Sequence, residues 1–197
     1  IAIGGGSCLD SAKGIDIVAS NGGSRDILDY VKDESLIRDF KCLISVPTTA
    51  GTGSEMSNAL VVTDETTHEK NAILSDRILS DYALLIPELT LSLPKRQTIA
   101  SGLDVFSHAA EGYLSNLSSP VADAISEKNM FLCANYLPGA VKDGQNIEYR
   151  ERMMVAANLA GWILNQSGTI VAHSEAHILG SKKHFVQGEA GAYAWSA

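Results

Sequence analysis

The chain lacks the features that mark disulfide-rich, membrane-spanning or nucleic-acid-binding proteins. Its three cysteines, Cys8, Cys42 and Cys133, are far apart and form no CxxC pair, so they indicate neither a disulfide framework nor a zinc cluster. No apolar run approaches the roughly 18 residues that a membrane span needs. Acidic residues outnumber Lys and Arg by 23 to 15, and the formal net charge of -8 argues against nucleic acid or an anionic membrane as a partner. We therefore expect a cytoplasmic protein that acts on a small molecule.

The composition is otherwise that of a globular protein, because 45% of the 197 residues are hydrophobic, enough to fill a core. Residues 1–94 alternate β-branched runs with glycine-rich turns, which is typical of an α/β layer. Residues 95–197 carry apolar positions at helical spacing and predict amphipathic helices. We expect two domains that meet near Pro94. Since the chain starts without Met and stops in an apolar run, we also expect it to be the central piece of a longer protein.

Individual elements can be placed along the chain. Short strands are predicted at residues 1–3, 42–46, 60–63 and 83–86, and long helices at 95–115, 120–136 and 148–165. Pro94, Pro120 and Pro138 are expected at or near helix ends, where proline is tolerated.

A glycine-rich loop follows the first predicted strand and opens a helix. Glycines allow backbone N–H groups and a helix N-terminus to approach a pyrophosphate, so the loop is a candidate cofactor site. Its candidate residues are Gly4, Gly5, Gly6, Ser7 and Asp10. The simpler alternative is a tight turn in which Ser7 or Asp10 caps the helix.

A second loop, residues 47–55, follows the next strand and is rich in hydroxyl groups and glycine. It offers hydrogen-bond donors to phosphate, ribose or a nicotinamide amide through Thr48, Thr49, Thr52 and Ser54. A plain polar turn is the alternative. Two such loops at consecutive strand ends indicate one shared crevice, where open α/β sheets bind their ligands.

Two pairs of potential metal ligands lie in the helical half. Asp104 with His108, and His173 with His177, are each four residues apart, so each pair shares one helix face. Carboxylate and imidazole from two helices suit a divalent metal that polarises a substrate oxygen. A single Asp/His pair is more often a surface hydrogen bond, but the apolar neighbours of His108 indicate burial, and buried ionisable groups need partners.

The His173 segment has only a superficial likeness to the HExxH motif of zinc proteases. Its glutamate is Glu175, at the wrong offset for that motif. A metalloprotease is therefore not our interpretation.

Taken in order, these segments resemble the iron-containing (group III) alcohol dehydrogenase family. The glycine-rich loop matches the family's GGGSxxDxAK pattern, and residues 47–55 match its PTTAGTGSE pattern. The resemblance implies an incomplete Rossmann-like nucleotide-binding α/β part, residues 1–94, followed by an all-helical metal-binding domain, residues 95–197, in a dehydroquinate synthase-like architecture.

The resemblance also implies roles for individual residues. Asp104, His108 and His173 match metal-ligand positions, and Lys70 falls where a cofactor-contacting lysine is expected. The family's fourth ligand is a histidine, but Gln187 stands at that position, and its neutral amide is a weaker ligand than imidazole. His177 matches a histidine that the resemblance implies near the reacting centre, and it is our candidate for relaying a proton.

The implied function is hydride transfer between NAD or NADP and a small alcohol or aldehyde. The expected metal is Fe²⁺, with Zn²⁺ as the alternative, and the full-length protein is expected to form a homodimer or a larger assembly. Two other functions stay open from the sequence. One is a zinc-dependent polyol dehydrogenase of the glycerol type, and the other is a non-catalytic nucleotide-binding remnant that has lost its metal with the histidine at position 187.

Overall fold

The computed structural model describes residues 1–67, 69–171 and 173–176. Strands β1 (Ala2–Gly4) and β2 (Ile44–Pro47) pair in parallel, and the short β5 (Tyr82–Ala83) joins β2 on its other side. Strands β3 (Ala59–Thr63) and β4 (Lys70–Leu74) form an antiparallel hairpin, with Leu60 opposite Ile73.

Two helices accompany these strands, and three long helices follow them. Helix α1 (Gly6–Ser20) starts directly after β1, and α2 (Ile27–Lys32) follows it. Three short 3₁₀ helices lie at Glu34–Leu36, Asp76–Ile78 and Pro87–Thr90. The helical part contains α3 (Lys95–Leu114), α4 (Pro120–Lys142) and α5 (Ile147–Ser167). The predicted order of an α/β part followed by a helical part is confirmed.

The structure differs from the predicted elements most clearly at β4 and at the end of α4. Strand β4 was not predicted, because its exposed polar start at Lys70 and Asn71 hides the alternation that marks a strand. Helix α4 continues past Pro138 to Lys142, although proline removes one helical hydrogen bond. Ala140, beyond the proline, is buried in the core between the long helices, and this packing favours a continued helix.

Each part has its own buried cluster. Apolar residues of α3, α4 and α5 pack together, among them Val105, Cys133 and Ala157, and Ala50 from the loop after β2 joins them. A second cluster packs Ile17 of α1 and Tyr30 of α2 against Leu60 and Ile73 of the hairpin. Among the described helices, none has both the length and the apolar character required to cross a bilayer.

Candidate functional site

The two predicted cofactor loops lie side by side at the carboxyl ends of β1 and β2. The backbone N–H of Thr48 donates to the carbonyl oxygen of Gly4 at 2.9 Å. A Cβ atom added at Gly5 would lie 3.2 Å from the Thr49 side chain, and one at Gly6 would lie 2.6 Å from that of Thr52. The glycines therefore allow the second loop to pack directly against the first.

The N-terminus of α1 opens beside these loops. Gly5 is the N-cap residue of α1, and no described side chain caps the first turn of this helix. Ser7 and Asp10 thus do not cap the helix as the simpler alternative proposed. A helix start of this kind favours an anion through its N–H groups and its dipole.

Asp10 and Ser54, two of the predicted cofactor residues, are bonded to each other. The Ser54 hydroxyl donates to Oδ1 of Asp10 at 2.6 Å, and the N–H of Val61 donates to Oδ2 at 3.1 Å. Burial raises the pKa of the Asp10 carboxyl, although these hydrogen bonds and the nearby Lys13 oppose the rise. Since Ser54 is buried and Ser7 and Thr52 are exposed, the latter two are better placed to meet a ligand.

Lys13 has a structural position that the sequence analysis did not assign. Its side chain is fully buried, and Nζ donates to the carbonyl oxygens of Ser54, Ser57 and Ala59 at 2.7 to 2.9 Å. Burial lowers the pKa of Lys13 to about 8, against the opposing charges of Asp10 and Glu55. The lysine thus ties α1 to the end of the second loop.

The second loop also packs on the helical part. Asn165 of α5 donates to the carbonyl oxygen of Met56 at 2.8 Å, and its own side-chain oxygen accepts from the N–H of Asn58 at 2.7 Å. Gly53 has a positive φ of 64° and lies against the backbone of Gly161. One loop therefore connects the candidate cofactor region to α5.

Three of the predicted metal ligands converge in the helical part. Nε2 of His108 lies 3.8 Å from Oδ1 of Asp104, and both residues are buried on α3. The rings of His108 and His173 lie 5.1 Å apart between centroids. His173 comes from the helical residues that follow α5, and its ring lies beside that of His108 on α3.

Glu111 completes this cluster, although the sequence analysis gave it no role. Its Oε1 lies 3.4 Å from Nδ1 of His173, and its Oε2 accepts from the N–H of Ile170 at 2.8 Å. Its position seven residues after Asp104 and three after His108 was a usable signal, because it puts all three on one face of α3.

The pKa values of the two histidines are shifted in opposite directions, although burial lowers both and the nearby carboxylates raise both. Burial lowers the pKa of His108, outweighing the carboxylate of Asp104. Burial also lowers the pKa of His173, but the hydrogen bond to Glu111 and the charges of Asp104 and Glu111 outweigh it, so the pKa is raised. The ammonium of Lys70 opposes this rise in the pKa of His173.

The donor set fits a divalent metal in its chemistry. Among the described residues, none bonds to Nδ1 of buried His108, and a buried imidazole nitrogen of this kind calls for a partner. The described His, Cys, Asp and Glu side chains nonetheless form no group of three or more at coordinating distances. His177 and Gln187, the predicted proton relay and fourth ligand, lie outside the described residues.

Comparison with known families gives matches to both parts of the chain. The family model described as iron-containing alcohol dehydrogenase matches residues 1–87. The model for the C-terminal domain of the Fe-containing alcohol dehydrogenase family matches residues 98–195.

Curated relatives match over almost the whole chain. The NAD-dependent methanol dehydrogenase of Bacillus methanolicus is 40% identical over 91% of this chain and 47% of its own length. The 1-propanol dehydrogenase of Salmonella typhimurium is 35% identical over 98% of this chain and 48% of its own length. The chain thus spans about half the length of these relatives.

Solved structures share the fold. A 1,3-propanediol oxidoreductase superposes with a TM-score of 0.91 at 37% identity, covering 96% of this chain and 49% of that one. The sulfoacetaldehyde reductase of Bifidobacterium kashiwanohense, solved with NAD⁺, superposes with a TM-score of 0.90 at 34% identity, covering 96% and 50%.

Proposed function

Because the chain belongs to the iron-containing alcohol dehydrogenase family, we propose that its protein transfers hydride between a nicotinamide cofactor and a small alcohol or aldehyde. The observation that carries the proposal is the meeting of buried Asp104 and His108 with the partly buried His173. Carboxylate and imidazole donors are the ligands that Fe²⁺ and Zn²⁺ accept, and Fe²⁺ is the metal we propose.

Each donor of this cluster has a defined task. Asp104 contributes a carboxylate oxygen, and His108 and His173 each contribute one ring nitrogen. When bound there, the divalent ion supplies a Lewis acid that polarises the substrate oxygen and favours the alkoxide. Asp104 and His108 are buried and the side chain of His173 is only 14% exposed, which limits the access of bulk water, so that the charges of the site act strongly on the substrate.

The two glycine-containing loops are our proposed cofactor site. Ser7 and Thr52 are exposed there, and Thr48 and Thr49 are half-buried. Backbone N–H groups of the first turn of α1 suit a pyrophosphate, and the hydroxyl groups suit ribose or the nicotinamide amide. For Asp10 and Ser54 we propose an indirect role, since their mutual hydrogen bond holds the two loops together.

The relatives support NAD as the cofactor. One is named as NAD-dependent, and the Bifidobacterium reductase was solved with NAD⁺. In our proposal residues 1–94, including Lys70, hold the cofactor and residues 95–197 hold the metal.

Three further assignments rest on the sequence. We propose that His177 relays the proton between the substrate oxygen and solvent, as an imidazole can near neutral pH. We propose Gln187 as a weak fourth ligand. A homodimer or larger assembly of the full-length protein in the cytoplasm remains our expectation.

Turnover by the full-length protein tests this function. Purified protein loaded anaerobically with Fe²⁺ is mixed with NADH or NADPH and short aldehydes, and loss of the reduced-nicotinamide absorbance is followed. We expect metal-dependent turnover that Asp104→Asn abolishes and that Glu175→Gln, a change to an exposed carboxylate, leaves intact. Absence of turnover at saturating Fe²⁺ with both cofactors would favour the non-catalytic remnant.

A further inference from the structure

We infer that Glu111 is a positioning residue, which holds His173 in the tautomer that can bind a metal. The inference rests on the proposed metal site, and it concerns the proton on the His173 ring rather than the metal itself. The Glu111 side chain is fully buried, so its carboxylate needs partners within the protein.

One carboxylate contacts both the backbone and the ring of the segment that carries His173. Oε2 accepts from the N–H of Ile170 at 2.8 Å, while Oε1 faces Nδ1 of His173 at 3.4 Å. Directly after the last residue of α3, the hydroxyl of Ser115 donates to the carbonyl oxygen of Ser167 at 2.6 Å. These contacts dock the start of the His173 segment on α3 at two points.

The chemistry of the carboxylate then decides the tautomer. An ionised carboxylate only accepts hydrogen bonds, so the ring nitrogen that faces it must carry the proton. With the proton on Nδ1, the lone pair of His173 is on Nε2, the nitrogen that would bind a metal. Carboxylates that orient a ligating histidine in this way typically change metal affinity by about 10- to 100-fold when they are removed.

Glu111→Gln reverses the proton preference with little change in shape. The amide oxygen can still accept from the N–H of Ile170, and the amide NH₂ group then faces Nδ1 of His173. Because that group donates, it requires an unprotonated Nδ1 and places the proton on Nε2. The matched control is Glu175→Gln, which removes the same charge from an exposed position two residues from His173.

Two readouts on the purified protein test the inference. Side-chain ¹⁵N spectra of the metal-free protein report which nitrogen of each neutral histidine is protonated. Zn²⁺ affinity, measured by competition with a chelator, reports the consequence for binding. Glu111→Asp serves as a second variant, because it keeps a carboxylate and should keep the Nδ1–H tautomer.

We expect an Nδ1–H signal for His173 in the wild type, its replacement by an Nε2–H signal in Glu111→Gln, and a loss of Zn²⁺ affinity of about 10- to 100-fold. The Glu175→Gln control should match the wild type in both readouts. An unchanged tautomer, or equal Zn²⁺ affinity in wild type and Glu111→Gln, would overturn the inference and leave the proposed function standing. Failure of the wild type to bind metal would overturn the proposed site and the inference together.

Discussion

Gly53 and Gly161 touch through their backbones, where the loop after β2 meets helix α5. A Cβ atom at Gly53 would lie 2.5 Å from the backbone nitrogen of Gly161 and 2.6 Å from the carbonyl oxygen of Ala157. Backbone atoms cannot move aside as a flexible side chain does. This contact therefore sets how closely the candidate cofactor loop approaches the helical part.

Gly161→Ala should destabilise the protein, because its new methyl group meets the Gly53 backbone. Overpacking of this kind costs about 1–3 kcal/mol in the free energy of unfolding. Gly14→Ala is the control, since a Cβ atom there would lie 3.7 Å from Ile27, an ordinary contact. Because Gly14 lies inside helix α1, Gly14→Ala should leave the free energy of unfolding unchanged or raise it by up to about 1 kcal/mol. Urea denaturation of both variants measures the difference, and equal stability would contradict the close contact.

Lys13→Met should also destabilise the protein. It removes the donor that serves the carbonyl oxygens of Ser54, Ser57 and Ala59. Each buried acceptor left without a partner costs about 1–3 kcal/mol. Lys32→Met, at a lysine whose side chain is 77% exposed, should change the free energy of unfolding by less than about 0.5 kcal/mol. An equally small change in the free energy of unfolding of Lys13→Met would show that the three hydrogen bonds of Lys13 contribute little to stability.

The lowered pKa of Lys13 predicts a pH dependence of stability. Above pH 8 the folded chain has begun to release the Lys13 proton, while the unfolded chain keeps it until about pH 10.5. Unfolding in this window takes up a proton, so the free energy of unfolding rises with pH, by up to about 1.4 kcal/mol for each unit of pKa difference. Well below pH 8 the lysine is charged in both the folded and the unfolded chain, so its contribution to the free energy of unfolding does not change with pH.

Denaturation curves of wild type and Lys13→Met between pH 7 and 11 measure this effect. The other titrating groups, including Asp10 and Glu55 beside the lysine, are present in both proteins. The difference in unfolding free energy should therefore grow with pH from about 8 upward. A difference that is constant with pH would contradict the lowered pKa.

Gln187→His should strengthen metal binding. Imidazole is a better ligand for Fe²⁺ and Zn²⁺ than a neutral amide oxygen. Gln145→His adds a histidine at an exposed position and controls for nonspecific binding by an added imidazole. Metal analysis after dialysis compares the three proteins, and equal occupancy in all of them would remove Gln187 from the proposed ligand set.

The sequence predicts local features of this protein well and tertiary partners poorly. Helices α3, α4 and α5 are predicted because their apolar spacing is regular. The four-residue spacings of Asp104 with His108 and of His173 with His177 mark candidate metal ligands, and that assignment stays a prediction. Lys13 and Glu111 bond to residues more than 40 positions away in the sequence, such as Ser54 and His173. No local sequence pattern reveals such partners. The continuation of α4 past Pro138 was missed for a related reason, since packing outweighs the local cost of proline.

The most direct test of this account is an anaerobic titration of Fe²⁺ or Zn²⁺ into the metal-free, full-length protein, beside His108→Asn. We expect one tightly bound ion for each chain in the wild type and loss of that binding in the variant, because His108 lies between Asp104 and His173. Binding of equal stoichiometry and affinity in both proteins would contradict a metal site formed by Asp104, His108 and His173.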